Sequence, residues 1–127
     1  MTVLLVDSHE DSRLIYAAAF RHHGLAVTVV ESCAEMVAVA RAQRPALIVM
    51  GLAYPATAGW DALRVLKGDC ATACIPVLAV STTGLKEHRE RALELGCAAF
   101  LTKPLPPLEL LDAVRGVLER GQGAAAD

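Results

Sequence analysis

The chain has 127 residues, of which 54% are hydrophobic and 20% charged, with a formal net charge of −2. That length suits one domain of the usual size, about 100–150 residues, and leaves no room in it for a second complete module. The apolar share excludes general disorder, and a near-neutral charge with 4% aromatics disfavours nucleic-acid binding by phosphate neutralisation or base stacking.

The opening Met-Thr-Val-Leu-Leu-Val-Asp has no basic region before its apolar run and meets acidic residues at once, unlike a secretory leader. Val3–Val6 is short, β-branched and continuous, the pattern of a strand covered on both faces. Asp11–His23 follows at helical period, with Leu14, Ile15, Ala18 and Ala19 on one face and Gly24 as its stop. Val27–Val30 is a second strand. Ser32-Cys33-Ala34-Glu35 has the form of a capping box, opening a helix to about Gln43 that Pro45 prevents from continuing.

Leu47–Met50 is the third strand. The apolar stretch around it, Ala46–Trp60, is broken by Gly51, Pro55 and Gly59, well short of the roughly 20 residues a membrane span needs. A third helix is expected from Trp60 to Gly68, and Val77–Val80 is the fourth strand. Leu85–Leu95 is a fourth helix, stopped by Gly96, with Glu87 and Arg91 spaced for an exposed ion pair. Ala99–Leu101 is a short fifth strand and Leu108–Arg120 the last helix, so residues 1–120 form the domain. The Gly/Ala-rich segment 121–127 reads as a flexible tail or the start of a linker. Strict alternation with short connections predicts an α/β domain, a parallel sheet with helices on both faces.

The chain is therefore expected to be cytoplasmic, with no membrane partner. Its cysteines (Cys33, Cys70, Cys74, Cys97) form no CxxC and are expected as reduced thiols. His9, His22, His23 and His88 show no metal-ligand spacing, so no metal centre is expected.

In an open parallel sheet, chemistry belongs at the carboxyl ends of the strands. There the sequence places Asp7-Ser8-His9-Glu10-Asp11, Gly51-Leu52-Ala53-Tyr54-Pro55, Ser81-Thr82 and Thr102-Lys103-Pro104. The first loop lacks the glycines of a phosphate cradle and would repel phosphate unless a divalent cation lay between them.

Taken in order and with their spacing, these residues resemble the receiver domain of two-component response regulators. The likeness runs from Thr2 to about Arg120. It rests on Val-Leu-Leu-Val-Asp, Arg44-Pro45-Ala46-Leu47-Ile48-Val49, Pro55 with Gly59, Ile75-Pro76-Val77, and Gly96 through Pro104. It implies a five-stranded doubly wound sheet in the flavodoxin-like order 2-1-3-4-5. It further implies an acidic pair holding Mg²⁺ after the first strand and a phosphoryl-accepting Asp at the end of the third. A hydroxyl after the fourth strand and a lysine after the fifth would bind the phosphoryl oxygens. By position these are Asp7 with Ser8, Gly51 with Ala53 nearby, Ser81, and Lys103.

Two of those positions depart from the pattern. Ser8 replaces the second acid and Gly51 the acceptor, and Asp61 lies too far along to substitute. The expectation is a pseudo-receiver that is not an enzyme, has no cofactor and poorly suits Mg²⁺, which wants octahedral oxygen ligands. Lys103 is then expected to pair with Asp7. The resemblance also implies a cis Lys103–Pro104 peptide, a switch of Ser81 and Phe100, and an interaction face of Arg89, Leu93, Phe100, Pro106 and Leu110. The implied partners are signalling proteins, a histidine kinase or downstream effector, or a second copy of the chain. Two alternatives remain open: phosphorylation at another acceptor such as Asp7, or an anion- or thiol-regulated sensor in which Lys103 and Ser81 hold an anion.

Overall fold

The computed structural model describes residues 2–52, 57–82 and 84–126, with the side chains at 57, 58 and 121–126 outside the description. Strands and helices alternate: β1 (Thr2–Val6), α1 (Glu10–His22), β2 (Ala26–Val30), α2 (Cys33–Gln43), β3 (Leu47–Leu52), α3 (Thr57–Gly68), β4 (Val77–Ser81), α4 (Lys86–Glu94), β5 (Ala99–Thr102) and α5 (Pro107–Ala126). The sheet is parallel throughout, in the expected order β2-β1-β3-β4-β5.

Each central strand feeds two cores, because successive side chains leave opposite faces of the sheet. Val3, Leu5, Leu47, Val49, Leu78 and Val80 pack with α1 and α5 around Phe20, Leu110 and Val114. Leu4, Val6, Ile48, Met50, Val77 and Ala79 face α2, α3 and α4 around Met36, Leu63 and Ala92. This is why the strands read as continuous apolar runs. The register sets Val6 beside Met50, so Asp7 and Gly51, one residue on, emerge side by side on the α1/α5 face.

The helix ends follow local chemistry. Ser32 caps α2 by accepting the Glu35 N–H at 3.2 Å. The reciprocal bond is donated by the Ser32 hydroxyl to the Glu35 carboxylate at 3.3 Å, in place of the backbone N–H that a capping box uses. Gly24 and Gly96 follow α1 and α4 with φ of 86° and 100°, the left-handed geometry that glycine adopts without penalty.

Three local expectations are corrected. Helix α3 begins at Thr57 instead of Trp60. Helix α5 runs to Ala126 instead of ending at Arg120. On α4 the ion pair within reach is Lys86–Glu90 at 3.7 Å, not Glu87–Arg91. Among the described residues no helix is long and apolar enough to cross a membrane.

Candidate functional site

The carboxyl ends of β1, β3, β4 and β5 bring Asp7, Gly51, Ser81 and Lys103 together. Asp7 is buried, at 3% exposure, and its N–H reaches the Val30 carbonyl at 3.4 Å, an extension of the β1–β2 ladder. Lys103 is placed from the other side. Its backbone N–H donates to the Ser81 carbonyl at 2.8 Å, and the cis Lys103–Pro104 peptide turns the chain immediately after it.

From there the Lys103 ammonium donates to Asp7 Oδ2 at 2.8 Å and to Ser12 Oγ at 3.2 Å. The two side chains are 16% and 4% exposed, so the ion pair is largely withdrawn from water. In such surroundings each charge depends on the other, since an unpaired buried charge is far more costly than a paired one.

The second carboxylate oxygen is also engaged. Asp7 Oδ1 accepts the His9 N–H at 2.9 Å, which turns the chain into α1, and lies 3.4 Å from His9 Nδ1. Arg13 donates to the Asp7 carbonyl at 2.7 Å and reaches Glu31 at 3.7 Å, tying the loop after β1 to the loop after β2.

Gly51 completes the arrangement by what it lacks. A Cβ there would lie 2.8 Å from Asp7 Oδ2, 2.9 Å from Asp7 Cγ and 3.1 Å from the Val6 carbonyl. The Asp7 carboxylate thus leans across β3 into the volume where any other residue at 51 would begin its side chain.

The response regulator receiver domain model matches residues 3–115 of the chain. The chain belongs to this family. It is 31% identical over 119 residues to the phosphate regulon transcriptional regulatory protein PhoB of Pseudomonas aeruginosa, covering 94% of this chain and 52% of that protein. It is 30% identical over 116 residues to Protein PilH of the same organism, covering 91% of this chain and 96% of that one. The receiver domain thus spans about half the length of the first relative and nearly all of the second. Among solved structures, a response regulator from Desulfuromonas acetoxidans superposes with a TM-score of 0.83 at 27% identity, covering 93% of this chain and 96% of that one. The chemotaxis response regulator CheY4 of Vibrio cholerae shares the fold at TM-score 0.83 and 22% identity, covering 91% and 97%.

In this receiver domain Ser81 ends β4 buried, at 3% exposure, and its carbonyl positions Lys103. Phe100 on β5 is 6% exposed and lies in the core beneath α2, α3 and α4. Ser8 is exposed in the loop after Asp7, and Ala53 lies outside the described residues.

The expected interaction face is corrected in two members. Phe100 belongs to the core on one side of the sheet and Leu110 to the core on the other, so they share no surface. Leu110 is fully buried. Arg89, Leu93 and Pro106 are exposed and remain available.

Sequence reading missed three residues that build the site: Ser12, Arg13 and Tyr16, all on α1. Tyr16 is buried and donates its hydroxyl to the Leu105 carbonyl at 3.0 Å, holding the segment that follows Lys103. Burial, and then the nearby Asp7 charge, push its phenol above the ordinary value. Their only sequence signal is a spacing of four between Ser12 and Tyr16, which sets both on the helix face toward Asp7 and Lys103.

Proposed function

We propose that this receiver domain is a pseudo-receiver, which transmits a signal through protein contacts without forming an aspartyl phosphate at position 51. One observation carries the reading. Asp7, the site's remaining carboxylate after Gly51 and Ser8, is committed to Lys103 at 2.8 Å and leans over Gly51. A phosphoryl acceptor needs a free carboxylate facing the incoming phosphorus, with cations beside it to neutralise the crowded charge. Here the glycine offers no nucleophile, and the ammonium that would receive phosphoryl oxygens is already neutralised.

The donor set also fits Mg²⁺ poorly. That ion takes oxygen ligands in octahedral geometry, usually with one or two carboxylates. At this site a single buried carboxylate would have to give up both Lys103 and the His9 amide to serve. The domain is accordingly read as a non-enzymatic signalling module of the cytoplasm. Its partners are a histidine kinase, a downstream effector or a second copy, met through the exposed surface around Arg89, Leu93 and Pro106.

Incubation with acetyl phosphate and Mg²⁺, followed by intact mass, tests the reading. The expected result is an unchanged mass. A phosphoryl adduct would overturn it, and peptide mapping of that adduct to Asp7 would establish the alternative acceptor.

A further inference from the structure

Strand β2 is one edge of the sheet, with β1 on one side and no strand on the other among the described residues. Its five residues, Ala26-Val27-Thr28-Val29-Val30, carry no charge and no proline, two of the devices that keep an open edge from pairing. The Val30 carbonyl accepts the Asp7 N–H, so the backbone groups of Val30 and, two residues back, of Thr28 face β1. Those of Val27 and Val29 therefore face outward. One of them is only loosely covered: Arg21 donates to the Val27 carbonyl at 3.4 Å, beyond the usual ~2.7–3.2 Å.

Helix α1 borders this edge, on the side of the sheet to which Val27 and Val29 send their side chains. A groove of about 420 Å³ between them is lined by Glu10, Leu14, Ala17, Ala18, Arg21 and Val29, among others. Glu10 and Arg21 lie about three turns apart on the helix and so share a face, with Leu14 and the two alanines between them. Leu14 is 62% exposed there, a large apolar side chain left in water. Turned end for end, this stripe complements itself: acid meets base at both ends, and Leu14 meets the small Ala17 and Ala18.

We propose that the β2–α1 edge is a self-association face, at which two copies of this chain pair β2 with β2 antiparallel into one ten-stranded sheet. A twofold axis through Thr28, perpendicular to the sheet, sets Val27 of each copy opposite Val29 of the other, each pair exchanging two backbone hydrogen bonds. The same axis lays the two α1 helices antiparallel on one face of the joined sheet. The Val29 N–H of one copy then takes the Val27 carbonyl of the other, and the released Arg21 pairs with Glu10 of the other copy. Both of these side chains belong to exposed residues. Such a dimer forms whether or not position 51 accepts a phosphoryl group, so it and the pseudo-receiver reading fail separately. It gives the second copy a face of its own and leaves the surface around Arg89, Leu93 and Pro106 to a kinase or effector.

Sedimentation equilibrium of the full chain from ~1 µM to ~1 mM tests the proposal. The mass should climb from one copy toward two. Arg21→Glu and Glu10→Arg should each weaken association at least ~10-fold, because two attractive pairs become repulsive, and the double exchange should return it to within ~3-fold of wild type. Val29→Pro removes an outward N–H, a change an edge strand tolerates, and should abolish the dimer. Circular dichroism checks that this variant folds, and if it does not, the charge exchanges at exposed positions decide alone. A single-copy mass at every concentration overturns the proposal and leaves the open edge to a strand of another protein. It is equally overturned by a dimer that either charge reversal leaves intact, that the double exchange fails to restore, or that folded Val29→Pro still forms.

Discussion

Asp7, one residue past β1, stands beside Gly51 of the adjoining β3, and its carboxylate fills the space above the glycine, 2.8 Å from where a Cβ would stand. The glycine is thus a steric condition for the Asp7–Lys103 pair as well as the absence of a nucleophile.

Gly51→Ala should destabilise the domain by about 1–3 kcal/mol, because an added methyl must displace Asp7 from Lys103. The backbone at 51 is outside the left-handed region, so crowding and not strain sets the cost. In an Asp7→Ala background the same change should cost clearly less, leaving the Val6 carbonyl at 3.1 Å as the remaining close contact. A double-mutant cycle in urea reads the difference. Equal costs in both backgrounds would show that Asp7 is not the obstacle.

Lys103→Met keeps most of the apolar stem but strands the Asp7 carboxylate at 4% exposure, and should cost about 2–4 kcal/mol. Asp7→Asn should cost less, because the more exposed ammonium, still near Ser12, can recruit water. Denaturant midpoints for the two variants check the order, and the reverse order would contradict the account of the pair.

Tyr16→Phe removes a single hydroxyl that donates to the Leu105 carbonyl and should cost about 1 kcal/mol. Amide exchange should rise in the segment following Lys103, the part of the chain which that bond holds. An unchanged exchange pattern would mean the segment is fixed by its other contacts.

Cys97 is buried, and burial pushes its thiol from the ordinary 9.0 up to about 11, against a smaller lowering by the Lys67 ammonium. The folded state thus keeps this proton longer than the unfolded chain does. Its contribution is fully present below pH 9 and is lost as pH rises through 11. Lys67, lowered chiefly by burial, acts in the opposite sense just below its ordinary 10.5. The Cys97 share is therefore read as a difference: wild type should lose about 2 kcal/mol more than Cys97→Ala between pH 8.5 and 11. Parallel stability curves for the two proteins would refute it.

The central strands were legible because each is covered on both faces and so must be apolar throughout, as Val3–Val6 and Val77–Val80 are. The ion pair was legible as well: removing the acid at 51 left Lys103 facing Asp7. What escaped was whatever depends on which face of the sheet a side chain leaves. Phe100 and Leu110 are both apolar and close in sequence, yet the sheet separates them. Ser12 and Tyr16 escaped for a related reason, since their partners lie 91 and 89 residues away and no local pattern announces them.

The Lys103–Asp7 contact joins residues 96 positions apart, from the first strand to the turn after the last. Between those strands stand β3 and β4, so the two side chains cannot meet until the whole sheet is in order. Interactions that close last contribute little to the rate of folding and act mainly on escape from the native state. The pair is therefore a latch on the lifetime of the folded domain: severing it should leave refolding almost as fast while the native molecule opens sooner.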